Sequence, residues 1–125
     1  MRVLLIEDEP NITEALRFVL SRDGWLVDTH ADGATALRAI ADKAPQVIVL
    51  DVMLPNRSGF EILRDLRAQG SSVPVLMLTA RGQQRDRDLA QAAGATAFMT
   101  KPFSNADIVA ALRALRPSDA PRVSP

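Results

Sequence analysis

Five short apolar runs punctuate the chain: Val3–Ile6, Trp25–Val27, Val47–Leu50, Val75–Leu78 and Ala97–Met99. Between them apolar residues recur at helical spacing. Ile12, Leu16, Val19 and Leu20 share one face of a helix predicted from about residue 10 to 21, with Pro10 in the first turn, where its missing N–H costs nothing. Asp32 is placed to N-cap a helix carrying Ala36, Leu37 and Ile40. Ser58 and Glu61 have capping-box spacing ahead of Ile62, Leu63 and Leu66, and Ser104 and Asp107 stand likewise ahead of Ile108, Val109, Leu112 and Leu115. Residues 83–93, QQRDRDLAQAA, favour helix but offer only Leu89 as a large apolar side chain, so this helix is expected to dock least firmly.

Strand and helix thus alternate five times, which predicts an α/β fold with a parallel sheet covered by helices on both faces. Four runs are nearly continuous in Val, Leu, Ile and Met, as strands buried on both faces should be. The run WLVDT alternates more and suits a sheet edge, with Trp25 as a strand aromatic and His30 as an exposed loop histidine. Residues 117–125, PSDAPRVSP, hold three prolines and no core residue, and read as a flexible tail or the start of a linker after one folded unit over 1–116.

A chain of 125 residues is one domain by size and can bury a stable core without staples. It has no cysteine, which excludes disulfides, thiolate metal sites and cysteine nucleophiles and agrees with a cytoplasmic setting. Formal net charge is +0, so no global field draws it to nucleic acid or an anionic membrane. No run approaches a membrane-spanning length. With His30 as the one histidine, a histidine-rich metal site is ruled out.

In open parallel α/β sheets, ligands bind beyond the carboxyl ends of the strands. Glu7, Asp8 and Glu9 follow the first run, Asp51 the third, Thr79 and Ala80 the fourth, and Thr100 and Lys101 the last. Any one of these has an ordinary reading as a turn former, a strand-end hydroxyl or a solvated lysine. Their meeting on one rim is what points to chemistry. Carboxylates about 5 Å apart repel by about 3 kcal/mol at an effective dielectric near 20, so Glu7, Asp8 and Asp51 together call for a cation. All-oxygen ligands favour a hard ion, Mg²⁺ or Mn²⁺. Thr79 and Lys101 are suitable donors to phosphoryl oxygens, which makes Asp51 a candidate nucleophile for phosphoryl transfer.

The segments IEDEP (6–10), VLDVMLPNRSGFE (49–61), VLMLTARG (75–82) and GATAFMTKPF (94–103) resemble the receiver domain of two-component response regulators, over residues 1 to about 116. The resemblance implies a flavodoxin-like, doubly wound five-stranded parallel sheet in the order 2-1-3-4-5 with five helices. It implies Asp51 as phosphoacceptor. Asp8, Asp51 and the backbone carbonyl of Met53 would hold Mg²⁺, with Glu7 acting mainly through metal-bound water. Thr79 would bond a phosphoryl oxygen, with the Ala80 N–H nearby, Lys101 would pair with the phosphoryl group, and the Lys101–Pro102 bond would be cis. The implied partner is a histidine kinase or histidine phosphotransfer protein. Thr79 and Phe98 would form the switch that remodels the face of the fourth helix, fifth strand and fifth helix.

The motifs are most similar to the winged-helix class of response regulators, with departures. Phe98 stands where that class usually has tyrosine, and Thr96 and Ala97 where it usually has two acids. Ala106 and Ala111 replace an acid and an arginine that build the class's dimer salt bridges, so a monomer or weak dimer is expected. The chain reads as a stand-alone receiver that contacts no nucleic acid or membrane and acts through an unknown downstream protein. The alternative is the N-terminal receiver of a longer DNA-binding transcriptional regulator. A signalling phosphoacceptor, not an enzyme acting on external substrates, is the expected class. A haloacid-dehalogenase-type phosphatase would need an acid at Met53, and a flavodoxin-like binder would need a phosphate loop where EDEP stands. A receiver that no longer accepts phosphate is discouraged by the complete set of active-site groups.

Overall fold

The computed structural model describes residues 1–80 and 82–117. Five parallel strands form one sheet, β1 (Arg2–Ile6), β2 (Leu26–His30), β3 (Val47–Asp51), β4 (Val75–Thr79) and β5 (Ala97–Thr100), in the order β2-β1-β3-β4-β5. The connecting helices are α1 (Pro10–Arg22), α2 (Ala36–Lys43), α3 (Gly59–Ala68), α4 (Gln84–Ala93) and α5 (Asn105–Leu115). This is the doubly wound, flavodoxin-like receiver arrangement expected from the sequence.

The continuous apolar runs are explained by two cores, one on each face of the sheet. Side chains alternate along a strand, so Val3 and Leu5 of β1 join Leu16 and Leu20 of α1 and Ile108 and Leu112 of α5. Leu4 and Ile6 join Ile40 of α2, Ile62, Leu63 and Leu66 of α3, and Ala90 and Ala93 of α4. Both sets are removed from water, which leaves no polar position in β3 or β4 until the strand ends, and none in β1 after Arg2.

Local signals start the helices as the sequence predicts. Pro10 opens α1, and the Ser58–Glu61 capping box of α3 is formed in both directions. At α5 Ser104 accepts the Asp107 N–H at 3.0 Å. Asp32 caps a short 3₁₀ turn, Gly33–Thr35, that leads into α2, so it acts one turn earlier than expected. α4 docks through Ala90 and Ala93, while Leu89 is 45% exposed.

Three details differ. β5 lies at the second edge, as the expected order places it, but all its residues are half-buried rather than enclosed on both faces, because an edge strand has a neighbour on one side only. Trp25 precedes β2 and is 4% exposed, packed in the core of the α1 and α5 face. His30 ends β2 half-buried, with Nε2 2.7 Å from Thr35 Oγ1. The tail read over 117–125 lies, beyond Pro117, outside the described residues. Among the described residues no helix is long and apolar enough to cross a membrane.

Candidate functional site

The carboxyl ends of β1, β3 and β5 converge on one cleft of about 490 Å³ lined by Glu7, Asp8, Asp51, Met53, Ala80 and Lys101, among others. Asp51 is 3% exposed at the end of the central strand. Its Oδ1 accepts the Met53 N–H at 3.3 Å, and its Oδ2 accepts from Lys101 Nζ at 3.1 Å. Glu7, also 3% exposed, accepts from Lys101 Nζ on Oε1 at 2.9 Å and from the Glu9 N–H on Oε2 at 3.1 Å. Asp8, the next residue, is exposed. One carboxylate oxygen from each of Glu7, Asp8 and Asp51 lies within 4.8 Å of the others.

The electrostatics follow from crowding. Burial pushes the Glu7 carboxyl up to about 7, helped by its hydrogen bond and repulsion with Asp51 and opposed by Lys101 and the Glu9 N–H. Burial pulls the Lys101 ammonium down, but Glu7 and Asp51 together outweigh it and hold it above the usual lysine value. One ammonium faces three carboxylates, so the cluster retains surplus negative charge. An all-carboxylate oxygen set with that surplus fits a hard divalent cation.

The backbone sets these positions. Lys101 N–H donates to the Thr79 carbonyl at 2.7 Å, and the Lys101–Pro102 peptide is cis, as expected. Thr79, 4% exposed, ends β4 and pairs in register with Thr100. It lines an adjoining groove of about 620 Å³ with Val52, Met53 and Ala80, so Ala80 and Met53 border both spaces. Phe98 is not in the cleft. It is half-buried on β5 with the Arg87 guanidinium 5.0 Å from its ring centroid.

Two contributions escaped the sequence reading. A Cβ on Gly59 would stand 2.3 Å from the Asp51 carbonyl oxygen, so the start of α3 can lie against β3 only with glycine there. A glycine opening a helix despite its poor propensity was the available signal. The end of β2 and the turn after it also contribute: the His30 carbonyl, the last of β2, accepts the Glu7 N–H at 3.0 Å, and Asp32 in the turn bonds Asn56. Neither contact had a signal, because both join residues distant in sequence.

Comparison with known proteins agrees with this geometry. Residues 3–113 match the response regulator receiver domain. The probable transcriptional regulatory protein TcrX of Mycobacterium tuberculosis is 42% identical over 113 residues, covering 90% of this chain and 48% of the relative. The transcriptional regulatory protein TcrA of the same species is 46% identical over 115 residues, covering 92% of this chain and 46% of the relative. The BeF3-activated N-terminal receiver domain of Klebsiella pneumoniae RstA superposes with TM-score 0.87 at 28% identity, covering 92% of this chain and 97% of that one. Vibrio cholerae chemotaxis protein CheY4 superposes with TM-score 0.85 at 31% identity, covering 91% and 97%. The chain therefore belongs to the receiver domain family of two-component response regulators. It spans about half the length of the curated relatives it matches.

Proposed function

We propose that residues 1–116 are a phosphoacceptor receiver in which Asp51 takes a phosphoryl group from a phosphohistidine on a histidine kinase or histidine phosphotransfer protein. The observation that carries this is Asp51 itself, a carboxylate 3% exposed yet lining an open cleft, with an ammonium 3.1 Å away and two further acids beside it. A carboxylate oxygen of Asp51 attacks phosphorus as the phosphorus–nitrogen bond breaks, and the imidazole leaves with a proton. Lys101 neutralises the incoming phosphoryl oxygens, which draws it from its present partners Glu7 and Asp51. Thr79 Oγ1 and the Ala80 N–H donate to phosphoryl oxygens once they arrive. Mg²⁺, or Mn²⁺, held by Glu7, Asp8, Asp51 and the Met53 carbonyl supplies positive charge for the same oxygens when bound. Water later hydrolyses the acyl phosphate.

The output is a population shift of the face formed by α4, β5 and α5, with Thr79 and Phe98 as the switch. Phe98 lies under Arg87, so turning its ring inward breaks that stack. The receiver is cytoplasmic and a monomer or weak dimer, since Ala106 and Ala111 remove charges that would pair two copies. Transcriptional control is the favoured output, because the relatives are named transcriptional regulatory proteins and response regulators. The phosphoacceptor chemistry is the same whether the receiver acts alone through a downstream protein or is joined to a DNA-binding module.

Incubation with MgCl₂ and acetyl phosphate tests this reading. Intact mass should show a labile phosphoryl adduct that is absent in Asp51→Asn. No adduct, or turnover of external phosphoesters, overturns it.

A further inference from the structure

The second strand brings no acid or ammonium to the rim, yet the turn after it braces the cleft. Asp32 Oδ1 accepts two hydrogen bonds at 2.9 Å, one from the Ala34 N–H and one from Asn56 Nδ2 in the β3–α3 loop. The first is an ordinary cap. The second reaches across to another loop. The neighbouring Gly33 N–H donates to the Pro55 carbonyl at 3.0 Å. A Cβ on Gly33 would stand 2.4 Å from the Arg57 carbonyl oxygen, so the two backbones touch there. Asn56 has φ 70, a left-handed conformation that asparagine tolerates better than most residues.

The loop so braced begins on the phosphoacceptor. Met53 N–H donates to Asp51 Oδ1 at 3.3 Å, and the loop is closed at its base by Gly59 N–H to the Val52 carbonyl at 2.9 Å. Its tip, residues 55–57, is held by the Asp32–Gly33 turn. That turn also follows His30, whose carbonyl takes the Glu7 N–H. One short segment therefore ties the loop carrying Met53 to the loop carrying Glu7.

We propose that Asp32 is a positioning residue for the divalent ion: through Asn56 it fixes the β3–α3 loop so that the Met53 backbone carbonyl stays at the carboxylate cleft. This rests on the metal-assisted phosphoacceptor reading above. A loop free to leave that position lowers the fraction of molecules competent to bind, and the apparent affinity falls by that fraction. A hydrogen bond to a carboxylate is a stronger tether than one between neutral groups.

The test uses the full chain and MnCl₂, with free Mn²⁺ followed by electron paramagnetic resonance. Asp32→Ser keeps a hydroxyl to cap Ala34 but is too short for Asn56. Asn56→Gly keeps the left-handed backbone and removes the amide. Each should weaken Mn²⁺ binding by about tenfold, the usual scale for losing an outer-shell partner. The double variant should be no weaker than the weaker single variant, because both remove one bond. Asp32→Asn retains the acceptor oxygen without the charge and should bind Mn²⁺ more tightly than Asp32→Ser but less tightly than the parent. Thermal melting in EDTA confirms that each variant is folded. If Asp32→Ser does not fold, Asn56→Gly decides, since it cuts the same bond from the other side. Parent-like Mn²⁺ affinity in Asn56→Gly, or additive losses in the double variant, overturns the positioning role alone. Failure of the parent protein to bind Mn²⁺ overturns both this role and the metal-assisted reading.

Discussion

Replacing Asp8 by Asn should stabilise the metal-free protein. Asp8 is exposed, its carboxylate makes no hydrogen bond or ion pair among the described residues, and one of its oxygens lies within 4.8 Å of oxygens on both Glu7 and Asp51. Two unit charges at that distance repel by about 0.9 kcal/mol at the dielectric of water and about 3.5 kcal/mol at an effective dielectric near 20. Exposure sets the relevant value near the lower figure, so relief from two neighbours is about 2 kcal/mol. Asp8 also precedes the N-terminus of α1, and losing its charge there costs about 0.5 kcal/mol. The net gain is about 1–2 kcal/mol, or about 4–8 °C in melting temperature for a domain of this size.

The assay is thermal melting followed by circular dichroism at pH 8 in EDTA, where Glu7, pushed up to about 7, is mostly ionised. Repeating it in MgCl₂ at a concentration about 100 times the dissociation constant adds about 2.7 kcal/mol to a protein that binds the ion. The parent should gain that increment and Asp8→Asn should gain little, so the order of stability reverses. A variant that melts at or below the parent in EDTA refutes the crowding argument. A gap unchanged by Mg²⁺ refutes the assignment of Asp8 as a ligand.

Gly59→Ala should destabilise by about 3 kcal/mol and impair phosphoryl adduct formation, because the new methyl meets the Asp51 carbonyl at 2.3 Å; denaturant unfolding and intact mass report the two effects. Ala44 closes α2 at φ 48 and ψ 56, so Ala44→Gly should stabilise by about 1 kcal/mol, visible as a higher denaturation midpoint at unchanged slope. Arg113 donates to Asp23 at 3.1 Å, and this hydrogen bonding holds the Asp23 carboxyl below its usual value. Its contribution is complete above the unfolded carboxylate value near pH 4 and lost as pH falls through the lower folded value. Asp23→Asn should therefore lower the melting temperature at neutral pH and match the parent in strong acid.

Much of this molecule was legible locally. Period, caps and breakers act within a few residues, so five helices and five strands could be located from Pro10, the Ser58–Glu61 pair and the apolar runs. The candidate site was legible for a related reason. Parallel strands joined by helices all end on one rim, so Glu7, Asp8, Asp51 and Lys101 had to meet once alternation was recognised, and the cleft brings them together.

Only the tertiary structure decided what depends on neighbours remote in sequence. Glu7 and Asp8 are adjacent acids, yet one is 3% exposed and carries a raised pKa while the other is exposed, because successive residues leaving a strand face opposite ways. β5 resembles in composition a strand buried on both faces, yet all its residues are half-buried, since at the sheet edge it has a neighbour on one side only. Gly59 against Asp51, Arg87 over Phe98, and Asp32 on Asn56 join separate elements, and each depends on distances that no periodicity encodes. The sequence determined which groups reach the rim of the sheet. Three-dimensional packing decided which of them are desolvated, which are braced and which remain open to water.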